Sequence, residues 1–101
     1  MNKSTALTEK LDQVSGVDDA MNRHDILTGS RPDGTAFAGG ALTCGNWTSS
    51  GEGRAQVGHH DRMGLGPGAE SWNSAHATSG CSQAHLASTG GAGLFYCFAI
   101  D

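Results

Sequence analysis

Aromatic residues are scarce in this chain, six in 101 positions, and sixteen glycines outnumber them. So few large side chains build only a small core, and a chain this short hides a modest share of its surface. A covalent staple is therefore expected to supplement packing. Basic residues are also few, 6 against 10 acidic ones, for a net charge of -4. Nucleic acids, anionic membrane surfaces and sulfated glycans all demand a basic footprint, so none of them is expected as the main partner. No run approaches the ~20 apolar residues that cross a bilayer. At the N-terminus Lys3 is followed by Ser4, Thr5 and Glu9, which lacks the basic, then apolar, then small-residue order of an export signal. Disulfide chemistry belongs to oxidising compartments. An extracellular, cell-surface or periplasmic location is expected, the sequence standing without its signal or as an internal piece of a longer precursor.

What is present divides the chain in two. Residues 1–25 hold Leu7, Leu11, Val14 and Val17 at roughly helical intervals, which predicts a short amphipathic helix from Thr5 to Val14, capped by Ser4 or Thr5 and ended by Gly16. Residues 26–101 are glycine-rich. Ile26-Leu27-Thr28 reads as a strand, Arg31-Pro32-Asp33-Gly34 supplies turn chemistry, and Thr35-Ala36-Phe37 leads away from it. Short strands are expected around Thr43 to Thr48 and around Ala55 to Val57. The apolar run from Gly93 to Ile100 gives the strongest strand signal and is expected at the centre of a sheet. Three cysteines, Cys44, Cys81 and Cys97, cannot all pair within one chain, and the residues alone leave three intrachain pairings open.

The order Cys44-Gly45-Asn46-Trp47, Trp72-Asn73-Ser74, Gly80-Cys81-Ser82-Gln83 and Leu94-Phe95-Tyr96-Cys97-Phe98, with the Gly29 to Gly34 turn ahead of it, resembles the C-terminal half of a C-type lectin-like domain. Small bacterial lectin-like modules and the endostatin-type domain are the nearest variants of that superfamily. The resemblance spans Ile26 to Ile100 and implies an α+β fold, a short N-terminal helix with a small antiparallel sheet and long glycine-rich loops, stabilised by a disulfide. It also implies that Cys44 pairs with Cys81. The partner that Cys97 would have in that scheme lies in an early helix with no counterpart here, so Cys97 is expected either as a free buried thiol or as a bond to another polypeptide.

The resemblance also directs attention to ligands. In calcium-dependent members a Trp-Asn-Asp triplet donates oxygens to Ca²⁺, a hard ion that requires charged oxygen ligands. Here Trp72-Asn73-Ser74 carries serine in place of the carboxylate, which demotes calcium and leaves Trp72, Asn73 and Ser74 as a calcium-independent ligand surface. Gly58-His59-His60-Asp61-Arg62 is the densest cluster of reactive side chains. Imidazoles bind Zn²⁺ given convergent third and fourth ligands, for which His76, His85, Glu70 and Asp61 are candidates. Adjacent histidines in extended chain point to opposite faces, so at most one is expected in any single site; the cluster is read as a solvated loop with Asp61 pairing locally with Arg62, His59, His60 and Asp61 are candidate contact residues of that loop, and no cofactor is expected. No Gly-x-Ser-x-Gly elbow or oxyanion motif accompanies the histidines, so an enzyme is not expected. The function expected is a non-catalytic recognition or assembly module that binds a protein or glycan through the 47–73 loop region. The alternatives are a structural subunit that completes its fold against another chain of a larger assembly, and a calcium-independent lectin.

Overall fold

A computed structural model of the protein describes residues 1–100. Four short strands form one mixed sheet in the order β3-β2-β1-β4. They are β1 (Asp25–Leu27), β2 (Gln56–His59), β3 (His76–Ala77) and β4 (Gly91–Phe95). β1 pairs antiparallel with β2 and parallel with β4, and β2 pairs antiparallel with β3. The architecture is α+β as expected, but the sheet is mixed rather than antiparallel. The parallel pair arises because the helix α2 (Gln83–Ser88) precedes β4 and turns the chain back alongside β1. Ser82 caps this helix through its side chain, which accepts from the His85 amide.

The apolar core is small: Leu27, Val57, Ala55, Leu86 and the two half-cystines Cys44 and Cys81. These cysteines form the disulfide that the resemblance implies. Cys97 is free and exposed rather than buried. Thr78 is wholly buried at the edge of this core, where its hydroxyl accepts from the Ala55 amide and donates to the Gly80 carbonyl. Hydrogen bonds on both sides offset the cost of removing this hydroxyl from water.

Three expected elements differ. No helix spans Thr5 to Val14; the segment folds into turns closed by a Leu7–Gln13 bridge, with Leu11 77% exposed. The Asn2 side chain accepts from the Ser4 and Thr5 amides, and Thr8 accepts from those of Lys10 and Asp12. Such local bonds compete directly with a helix ladder. The strand expected at Thr43 to Thr48 is instead a single helical turn, α1 (Cys44–Trp47). Its residues have φ of 50°, 62°, 56° and 66°, so the turn is left-handed, entered through a Thr43 cap on the Asn46 amide and tied at Cys44 by the disulfide. The closing strand lies at the sheet edge rather than the centre, and it ends at Phe95. β1 and β2 take the centre, and beyond β4 Phe98 and Ile100 are 58% and 99% exposed. The Arg31–Gly34 turn is as expected, with the Gly34 amide donating to the Arg31 carbonyl inside a Ser30–Ala36 bridge.

Candidate functional site

Two regions concentrate chemistry. The first is built by strand register. Asp25 opens β1 and lies opposite His59 at the end of β2, while His76 opens β3 opposite Val57, two residues before His59 and so on the same face. His24 precedes β1, and its ring stacks on that of His59 at 3.7 Å between centroids. Three imidazoles thus surround one carboxylate. Asp25 Oδ1 lies 3.0 Å from His59 Nε2, 3.2 Å from His76 Nε2 and 3.4 Å from His24 Nε2. None of these contacts has hydrogen-bond alignment, and both Asp25 oxygens and His59 Nε2 are buried without a hydrogen-bond partner.

The opposite nitrogen of each ring is engaged. His59 Nδ1 donates to the Ala69 carbonyl at 2.7 Å, His76 Nδ1 to the Ala77 carbonyl at 3.1 Å, and His24 Nδ1 to Asp61 Oδ1 at 3.0 Å. Burial would raise the Asp25 carboxyl, but the imidazoles of His59 and His76 outweigh it and hold it below its ordinary range. Burial, reinforced by the neighbouring His59, pushes His24 down. Asp25 in turn pushes His76 up. Asp61 is held below its ordinary range because the Val17 and Met63 amides and His24 together outweigh its burial.

The middle of the Gly58 to Arg62 cluster therefore does not face a partner. His59, His60 and Asp61 are 3%, 0% and 6% exposed. The two histidines do diverge as adjacent residues in extended chain should: His59 faces Asp25, whereas His60 Nε2 donates to the Ser15 carbonyl. With Asp61 accepting from the Val17 amide, this pair clamps the N-terminal segment to the sheet. Asp61 does not pair with Arg62, whose guanidinium donates to the Glu70 carbonyl. His85 caps into α2 through Ser82, away from the cluster. Sequence reasoning passed over His24 and Asp25, although a His-Asp pair at the mouth of a strand was the available signal.

The second region is an open groove of about 410 Å³ lined by Trp72, Tyr96, Phe98 and Phe95 against the Pro32-Asp33-Gly34 turn. Trp72 packs edge-on to Tyr96 and Phe98, and Trp47 packs edge-on to Phe95. Tyr96 donates its hydroxyl to the Trp72 carbonyl at 2.8 Å. Trp72 remains 40% and Phe98 58% exposed. Asn73 and Ser74, in contrast, are buried. The Asn73 amide donates to Ser30 Oγ and the Arg31 and Pro32 carbonyls, and its oxygen accepts from Ser71. Ser74 Oγ accepts from Gln56. Both are structural braces that hold the turn and Trp72 in place rather than ligand groups.

No family model, curated protein or solved structure matches this chain. Among the described residues no helix is long and apolar enough to cross a membrane.

Burial, with a lesser contribution from the negative charge of Asp61, pushes the Tyr96 phenol well above its ordinary value of 10.0. An acid whose pKa is raised on folding contributes stability that is full below the unfolded pKa and is lost as pH rises toward the folded one. Because the chain has one tyrosine, phenolate absorbance reads this site alone. It is expected to appear at higher pH than in the urea-unfolded chain, and Tyr96→Phe should remove the corresponding alkaline loss of stability. Coincident folded and unfolded titrations would mean that Tyr96 is not held against Trp72 in solution.

Proposed function

We propose that the chain is a non-catalytic recognition module of lectin-like fold, displayed outside the cytoplasm, which engages a neutral glycan without calcium through the Trp72 groove. The observation that carries this reading is the exposure of Trp72, Phe95 and Phe98 on one face in a chain with only six aromatic residues. Folding would ordinarily bury such side chains first. An aromatic floor stacks on the apolar face of a sugar ring. The oxygens of Asp33, Ser30 and Thr28 at the turn offer acceptors for its hydroxyls. The net charge of -4 favours a neutral glycan over a sulfated one. Within the 47–73 region, Trp72 carries the contact face, Trp47 packs behind it on Phe95, and the buried stretch from Val57 to Asp61 supports it.

Titration with neutral oligosaccharides, followed by tryptophan fluorescence in a Trp47→Phe background, is expected to saturate. Trp72→Ala, measured calorimetrically, should weaken binding about 10-fold or more, the equivalent of removing one buried aromatic contact. The second reading is an assembly subunit, favoured by the exposed run of Phe95, Cys97, Phe98 and Ile100. A larger mass under non-reducing conditions that collapses on reduction, with no glycan response, would replace the first reading by the second.

A further inference from the structure

The centre around Asp25 poses a chemical problem independent of the groove. Carbonyl oxygens only accept, so His59 and His76 must carry their protons on Nδ1, and the Asp61 carboxylate holds the proton of His24 on Nδ1 in the same way. In their neutral form the rings then bring three Nε2 lone pairs to 3.0, 3.2 and 3.4 Å from Asp25 Oδ1, without hydrogen-bond alignment on it. Four electron-rich atoms face one another, with Asp25 2% and His59 3% exposed. A shared proton would relieve one of the three contacts and leave two.

We propose that His24, Asp25, His59 and His76 form a site for one divalent first-row metal ion, with Zn²⁺ as its ligand. Four ligands at ~2.0–2.1 Å around a tetrahedral ion lie about 3.3 Å from one another; the three pairs that Asp25 Oδ1 makes with the imidazole nitrogens have that spacing, the ligand atoms of His24, Asp25 and His59 all lie within 4.8 Å of one another, and His76 joins them through its 3.2 Å contact with Asp25. Imidazole donors suit zinc, whereas Ca²⁺ and Mg²⁺ require oxygens. Each histidine has the outer partner that metal-bound histidines use to fix tautomer and ring orientation: Asp61, the Ala69 carbonyl and the Ala77 carbonyl. Four protein ligands from β1, β2, β3 and the residue before β1 describe a closed structural site that ties three strands together. The His76 side chain, 37% exposed, marks the side from which the ion enters. Asp61 is a positioning residue, acting on the metal through His24.

The test uses the full, untagged chain with Cys97→Ser, so that the exposed thiol cannot bind metal. After dialysis against chelator, Zn²⁺ is titrated calorimetrically and Co²⁺ by visible absorption. One ion per chain is expected, with the intense visible bands of four-coordinate Co²⁺ and a melting temperature raised by about 10–20 °C at free Zn²⁺ a hundredfold above Kd. His59→Ala removes a buried side chain and can fail to fold. His76→Gln, at the half-exposed ligand, keeps the fold and should abolish the Co²⁺ bands. Asp61→Asn should keep the bands and weaken binding about 10–100-fold, while His85→Ala should leave both unchanged. A folded chain that takes up no Zn²⁺, or a His76→Gln variant that binds as tightly as its parent, overturns the proposal. The first of these outcomes would assign the cluster to a proton shared between Asp25 and His76.

Discussion

Removing the Cys44–Cys81 bridge, by Cys44→Ala with Cys81→Ala in a Cys97→Ser background, is expected to lower the free energy of unfolding by about 3–4 kcal/mol. The two residues are 37 apart in sequence, and untying a loop of that length restores much conformational freedom to the unfolded chain. The native state has little to set against this. Of the six residues in the apolar core cluster, two are the half-cystines themselves, and one of the other four is alanine. The bridge also fixes neighbouring backbone, since the Cys44 amide donates to the Arg54 carbonyl and that of Cys81 to the Gly51 carbonyl. Domains of this size have total stabilities of about 5–15 kcal/mol, so the double variant is expected to be partly unfolded at 37 °C. Urea denaturation of both proteins with Zn²⁺ held constant measures the difference. A change below about 1 kcal/mol would mean that packing, not the bridge, holds the chain together.

How much of this could be read from the sequence depended on the range of the interaction. The strand at Ile26-Leu27 and the one near Ala55 to Val57 were legible because local apolar pattern and flanking turn residues specify them, and Pro32 with Gly34 announced its turn directly. The Cys44–Cys81 pairing was reached through resemblance. The N-terminal helix failed because Leu7, Leu11 and Val14 set a period, whereas Asn2 and Thr8 decided the backbone through their side chains. The C-terminal run was misplaced for a related reason: Phe95, Phe98 and Ile100 are apolar enough for a sheet centre, yet they lie outside it and leave an exposed face. The metal ligands were least legible. His59 and His76 were named, but Asp25 lies 34 positions before His59, and only the pairing of β1 with β2 sets them opposite each other. Local pattern carries no information about such a register.

Gly58→Ala should be the most damaging single methyl group that can be added to this chain, costing about 3 kcal/mol, the upper end of the range for overpacking. A Cβ at this position would lie 1.7 Å from the Trp72 carbonyl oxygen, 2.2 Å from its carbon and 2.5 Å from the Asn73 Cα. All three are main-chain atoms, so no side chain can swing aside, and the 72–73 segment must lift from β2. Two bonds flank the contact and would be strained together, the His59 amide to the Ser71 carbonyl and the Ala75 amide to the Val57 carbonyl. Gly51→Ala is the matched control: it is exposed, its Cβ would meet nothing within 4 Å, and a change within about 0.5 kcal/mol is expected. Urea midpoints compare the two variants, and tryptophan fluorescence reports whether Trp72 has moved. Equal midpoints would show that the chain at 72–73 does not lie against β2 in solution. Because the same contact sets Trp72 over the groove and leads the chain into His76 at the start of β3, Gly58→Ala should weaken glycan binding and Co²⁺ binding together. Trp72→Ala should affect only the first and His76→Gln only the second, which separates the shared support from the two sites it carries.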